Sequence, residues 1–433
     1  MSLVHIQEIS HNLEQAVKDC FDQFGGIDSF IKDNVFIKIN ATMPNISAIT
    51  NPDVVIAVIR VLKTAKKKPK SIYVFDSTAV GFPTCLSFKV KNLDKRIKQE
   101  GAIPLFLDEQ KEFEMIDFQG KGLNNPVPIP RILVDHLLQN KDKNTFINIP
   151  KLKTHLQTGI TCCIKNLHGL LYDKEKIYNH HLVEDKVVEL LTKFYPDFNI
   201  VDATSVTNHG MVAFQKDWLI QMNILIAGKD CVAVDTVGAK LLGIDSIYHL
   251  EKANEKNLGN SDFKKIKISP SLNILEKYKQ QLNDQYENVP ITLGEKTKIF
   301  SGNEKEGCRA GCKTILLYSY LFNQVAQNEG SVCIYGKGHD TKDFDNLLGP
   351  FIINGKCAVE ELKDYFEQRA DRKSIDVYYI NEHFHMTECS NAVIKARKVP
   401  LKRMNSSLDV NIITMIACFI RAKIKGAIFE SLF

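Results

Sequence analysis

Apolar runs recur along the first half of the chain, each closed by a turn and followed by a stretch of helical periodicity. Residues 35–40, 71–76, 103–107 and the run ending at Ile147 read as strands bounded by Asn, Pro or Gly. Helices are predicted over 7–24, 54–66 and about 90–100, the second opening at Asn51-Pro52-Asp53. Residues 198–202 and 223–227 are again strand-like. The segment 230–242 is a helix with an acid in its first turn and Gly243 as its stop. This alternation predicts an α/β fold with a doubly wound, mostly parallel sheet over residues 1–265.

The pattern weakens over 266–300, a lysine-rich stretch expected to be a linker. A second, smaller α/β unit is predicted over 301–400, with helices at 309–327 and 357–369 and strands at 331–335, 351–353 and 375–379. In the tail, 401–433, the apolar run 410–420 leads into Arg421, Lys423 and Lys425. It is too short to span a bilayer, and an amphipathic helix packed on the body or on a partner subunit is expected, so the tail offers an oligomer contact.

Composition narrows the function classes. The 433 residues carry a net charge of +5, too balanced to argue for nucleic acid, and no basic stripe interleaves with aromatics. No apolar stretch reaches membrane-span length and the N-terminus lacks a secretory core. Eleven cysteines without small-domain disulfide spacing point to a reducing compartment, and the cytoplasm is the natural location.

The densest chemistry sits where strands end. Lys38 and Asn40 close one strand and Asp76 another, while Lys151, Lys153 and His155 follow the strand ending near Ile147 and Asp202 closes a fourth. Ligands of open α/β sheets bind at that rim. Lysines gathered there favour an anionic small molecule, since ammonium groups act as point-charge clamps. The segment Lys165-Asn166-Leu167-His168-Gly169 puts Lys165 and His168 three apart on one helix face. Imidazole titrates near neutrality, so His155 and His168 are the candidate acid and base, with Lys153 and Lys165 beside them. Asp235 is expected to face the rim, and His180-His181 to form a surface turn from which one of the two could reach the site. No Walker loop, Gly-x-Gly-x-x-Gly, Gly-x-Ser-x-Gly or His-Glu-x-x-His occurs, which removes support from the mechanisms those motifs carry.

Cys308, Cys312, Cys357 and Cys389 fall at predicted helix starts, where the dipole favours thiolates. Four such residues are the number that a cubane iron–sulfur cluster or a tetrahedral zinc requires, with the cluster the first expectation. Their spacing is diffuse, with 3, 44 and 31 residues intervening. Redox-active or purely structural thiols stay open as readings. Cys333 reads as a core residue.

The lysine- and asparagine-ended strand at 35–40, the segment 148–155, Cys163–Gly169 with its Lys-Asn-x-x-Gly, Val201-Asp202, and Gly228–Gly243 resemble the family of domain of unknown function 362. Members are often described as iron–sulfur proteins, frequently through appended ferredoxin-type cysteine runs. This chain has no such run, so the resemblance implies a cluster only through the four cysteines above. Together these features suggest a redox-type enzyme with an anionic substrate and an electron-transfer partner. A cluster-free racemase, isomerase or lyase acting on a carboxylate is the alternative, and a non-enzymatic scaffold a third.

Overall fold

The computed structural model describes residues 1–155, 157–207, 212–213, 218–283, 297–302, 312, 315–316, 319, 330–382, 386–398 and 408–430. The chain divides into two units, Met1–Val289 with Leu408–Ser431 and Pro290–Ser407 with Leu432–Phe433.

Strands of the first unit are, in chain order, β1 (Ser2–Glu8), β2 (Asn34–Ile39), β3 (Ser71–Asp76), β4 (Ile103–Phe106), β5 (Phe113–Ile116) and β6 (Val127–Pro130). They continue with β7 (Asn144–Ile149), β8 (Lys153–His155), β9 (Gly159–Thr161), β10 (Phe198–Thr207), β11 (Leu219–Gly228) and β12 (Ile266–Ser269). Eight of them form one sheet in the order β12-β1-β11-β10-β7-β2-β3-β4. All neighbours run parallel except β11, which is antiparallel to both β1 and β10. The α/β architecture is therefore as the alternating pattern implies, with one reversed strand inside the sheet. The β2 and β7 strands are buried over almost their whole length, which explains their continuous apolar reading.

Helix starts follow local chemistry. Asn51 accepts from Asp53 N ahead of Pro52, and Asp230 accepts from Ala233 N at 3.0 Å. The helix Cys231–Leu241 that Asp230 caps is buried on nearly every side and acts as a core element between the sheet and its neighbouring helices.

Two expectations change. Residues 7–24 are not one helix: β1 runs to Glu8 and pairs with β11, and the helix begins at Leu13, where the Asn12 side chain accepts from Gln15 N. Residues 266–283 are not a linker: β12 extends the sheet beside β1, and Glu8 accepts from Lys277 and Tyr278 of the following helix at 2.5 and 2.7 Å. Residues 298–300 of the same stretch form the first strand of the second unit. The tail helix Ile412–Lys425 belongs to the first unit, burying Cys418 and Ala422 and pairing Arg421 with Glu109 at 2.7 Å.

The second unit holds four parallel strands in the order β13 (Lys298–Phe300), β14 (Val332–Tyr335), β15 (Phe351–Asn354) and β16 (Val377–Ile380). Phe344, Phe351, Leu362 and Phe366 fill its core, the last two from the helix Lys356–Gln368. Most of the expected helix 309–327 lies outside the described residues.

Candidate functional site

A chain of buried amides crosses the ends of β2, β7 and β10. Asn40 donates to Asn166 at 3.1 Å, Asn166 to Asn148 at 2.8 Å, Asn148 to Asn199 at 3.1 Å, and Asn199 to the Gly228 carbonyl at 3.2 Å. Asn148 also donates to the Cys163 carbonyl at 3.1 Å. Each amide bonds to the next, so the polar layer is held by its own groups and fixes the segment 163–170 against the strand ends.

Lysines enter this layer from several elements, and almost all are tied down. Lys38 Nζ donates to Asp76 Oδ1 at 2.5 Å and to the Ile39 carbonyl at 2.9 Å. Asp76 also accepts from the Ala41 and Ser77 N–H groups. Lys151 lies 3.0 Å from Asp202, whose carboxylate further accepts from Asn51 N and Thr204. Lys176 donates to Ser77, the Thr78 carbonyl and Asp173. Lys186 donates to the Glu175, Lys176 and Tyr178 carbonyls, the open end of a short helix. Lys153 has no carboxylate and rests on the Ala48 carbonyl at 2.5 Å and Asn40 Oδ1 at 3.2 Å.

Lys165 differs. It is half-buried, and among the described residues its ammonium has no hydrogen bond or ion pair. Burial, with Lys176 and Lys38 nearby, holds it down to about 8. Burial also brings Lys186 down to about 7, and holds Lys153 well below its ordinary value, with repulsion from Lys165 acting on both. His155, His168 and His180 are kept neutral by burial first and by Lys165 next. One unpaired ammonium is thus the common neighbour of three imidazoles and two further lysines.

The histidines are oriented. His155 Nδ1 accepts from Gln157 N at 3.1 Å and Thr158 N at 3.2 Å, which places the ring proton on Nε2. His168 is buried, and its Nε2 has no partner among the described residues. His180 stands edge-on to His168 with ring centroids 5.9 Å apart. Of the pair expected in a surface turn, His181 is exposed and His180 turns inward.

Gly169 explains the end of the Lys-Asn-x-x-Gly motif. A Cβ there would meet Asp76 Oδ1 at 2.1 Å and Lys38 Nζ at 2.7 Å, so only glycine lets this turn lie on the ion pair. Lys165 lies within the field of Lys38, Lys176 and Asp76, Asn166 joins the amide chain, and Gly169 covers Lys38 and Asp76.

Asp235 does not face the rim. It is fully buried and accepts from Cys163 N at 2.7 Å and Ile164 N at 2.9 Å, capping the helix that carries Lys165. Cys162, Cys163 and Asp235 bring three potential ligand atoms within 4.8 Å. Burial pushes the Cys162 thiol up to about 12, and both thiols hydrogen-bond to the carboxylate, so this group reads as a satisfied clasp between two helices.

Sequence reasoning missed Lys176, Lys186, Asn148 and Asn199. Lys186 shares a helix face with the buried Val183, Val187 and Leu190, and both asparagines interrupt buried strands. A polar residue on an apolar face was the available signal in each case.

Of the four expected metal ligands, Cys308 lies outside the described residues. Cys312, Cys357 and Cys389 do not bring three ligand atoms within 4.8 Å of one another, whereas sulfurs on tetrahedral zinc lie about 3.8 Å apart. Burial pushes the Cys389 thiol up to about 12, with Ser319 hydrogen-bonded to it, and Asn354 donates to the Cys312 carbonyl. The three described cysteines as placed do not fit a zinc set.

The chain is similar to known proteins in three comparisons. A thylakoid-associated protein of Synechocystis sp. is 26% identical over 263 residues, covering 57% of this chain and 75% of that protein. A crystal structure of a protein from Thermotoga maritima aligns with 90% of this chain and 84% of its own at 10% identity, with a TM-score of 0.38. Among the described residues, no helix is long and apolar enough to cross a membrane. The family described as domain of unknown function (DUF362) matches residues 35–240, the stretch that holds the amide chain, the tethered lysines and the Lys165 turn.

Proposed function

We propose that this protein is an enzyme that binds a small carboxylate at Lys165 and moves a proton on it, as a racemase, isomerase or lyase does. The observation that carries this reading is the unpaired ammonium of Lys165 amid three neutral imidazoles. An anion set against Lys165 relieves the repulsion among Lys165, Lys153 and Lys186, so binding and charge compensation coincide. A fixed cation beside the carboxylate also stabilises the charge that develops when a neighbouring carbon loses its proton. His168, with Nε2 unpartnered, supports the role of base, and His155, carrying its proton on Nε2, that of the group orienting the substrate. None of these roles needs the cysteines of the second unit.

The test is a thermal-shift panel of oxalate, malate, lactate and phosphate, followed by incubation of each stabilising hydroxy acid in D2O with NMR detection of exchange at the α-carbon. Stabilisation by a carboxylate together with exchange that is lost in His168→Gln supports the reading. If no anion raises the melting temperature, or if Lys165→Met and His155→Ala leave binding and exchange unchanged, the reading fails.

A further inference from the structure

We infer that Lys165 is a nucleophile that forms an imine with the carbonyl group of a small anionic aldehyde or 2-oxo acid. This deepens the proposal above and rests on it for the anion site: Lys165 meets the carboxylate as an ammonium, gives one proton to the neutral His168 to attack the adjacent carbonyl, and regains the positive charge as a protonated iminium. The geometry singles out Lys165: Lys38, Lys151 and Lys176 face carboxylates, and Lys153 and Lys186 face carbonyl oxygens. Lys165 alone of these six has no hydrogen bond or ion pair among the described residues. A tethered lysine nitrogen must break with its acceptors before it can attack, whereas Lys165 has none to give up among the described residues. Desolvation and a neighbouring cation each activate an amine as a nucleophile, and both act on Lys165.

The step balances without an oxidant or reductant. The neutral Lys165 amine adds to the carbonyl carbon, forming a C–N bond as the carbonyl π electrons move to oxygen. The proton lost by nitrogen reaches that oxygen, and the carbinolamine then loses water to leave a C=N bond. His168 stands one helical turn from Lys165 with Nε2 unpartnered, so it can take the proton from nitrogen and return it to the departing hydroxyl. The iminium that forms on protonation withdraws electrons from the adjacent carbon, which makes the proton transfer proposed above easier.

The experiment treats the full-length protein with glyoxylate or pyruvate and sodium cyanoborohydride near neutral pH, then maps the reduced adducts by peptide mass spectrometry. Lys165 is expected to be the dominant site, to be protected by oxalate, and to lose its adduct in Lys165→Arg, which keeps the positive charge. Adducts confined to exposed lysines such as Lys67 and Lys70, with Lys165 unmodified, overturn the inference. The thermal shift with oxalate separates the two ideas. A retained shift with no Lys165 adduct sinks the imine alone, while loss of both sinks the anion site as well.

Discussion

Replacing Gly169 with alanine probes the packing on which the site is built. The new Cβ would sit 2.1 Å from Asp76 Oδ1, 2.7 Å from Lys38 Nζ and 3.2 Å from the Ser77 carbonyl oxygen. Gly169 is not among the glycines with positive φ, so the cost comes from space and not from backbone conformation. Asp76 cannot retreat freely, because Lys38, Ala41 N and Ser77 N all donate to it. Overpacking costs about 1–3 kcal/mol. Prising the buried ion pair apart adds to that, since an uncompensated buried charge costs roughly 3–5 kcal/mol. A net loss of about 3 kcal/mol is expected if the pair is strained but kept. Urea denaturation followed by tryptophan fluorescence measures it in the right place, because the chain has 1 tryptophan, Trp218, in the first unit. Gly101→Ala is the control: its φ is +70 with nothing within 4 Å of an added Cβ, so it loses about 1–2 kcal/mol through backbone conformation alone. A Gly169→Ala protein within about 0.5 kcal/mol of wild type would refute the close approach of this turn to Lys38 and Asp76.

Further outcomes follow from the same geometry. Lys153→Met should be neutral or stabilising by about 1 kcal/mol in the same urea assay, because it replaces a buried cation that has no carboxylate, yet it should weaken oxalate binding. Asp235→Asn should cost about 1–3 kcal/mol, since the amide keeps one acceptor and turns an NH2 toward a backbone N–H; an unchanged midpoint would show that this carboxylate does not hold the helix start. His155, His168 and His180 have folded pKa values below the ordinary 6.5, so the unfolded chain takes up protons that the folded chain refuses. Stability should therefore fall as pH drops below about 6.5, by up to about 1.4 kcal/mol per pH unit for each histidine, and a flat profile from pH 7 to 5 would contradict their burial as neutral rings. Lys165, held down to about 8, loses its charge above that pH, so titration calorimetry should show oxalate affinity declining as pH rises through 8.

Much of the fold was legible because local chemistry and global packing agree in most elements. The Asn51-Pro52 and Asp230 helix starts, the Gly243 stop and the buried strands β2, β3 and β7 each carry an unambiguous signal. β1 was not legible, because its residues run without a turn signal into a helix whose start rests on the single cap Asn12. β12 is the four residues Ile266-Lys267-Ile268-Ser269, a short pattern that only pairing with the sequence-distant β1 makes meaningful. In the site, Lys151, Lys153, His155, Lys165 and Asn166 stand out by their density on one connection. Asp235 was misplaced for a physical reason: a carboxylate within a helix of this domain looks rim-facing unless the N–H groups it caps, 72 and 71 residues away, are known.

The distribution of charge argues that the buried lysines serve position more than stability. A buried pair such as Lys38 with Asp76 is seldom worth more than well-packed apolar residues of the same volume, because both ions are stripped of water. The fold nevertheless holds three such pairs and two lysines tied to carbonyls, and of these Lys38, Lys176, Lys153 and Lys186 interact electrostatically with Lys165. Their partners neutralise them locally and leave their repulsion on Lys165 only partly cancelled, with Asp76 opposing the effect of Lys38 and Lys176. Had a carboxylate been set against Lys165, its ammonium would be fixed as a cation and closed to an incoming anion. The amide chain holds the Lys165 turn where no carboxylate of the described residues pairs with its ammonium, so its positive potential is left unneutralised.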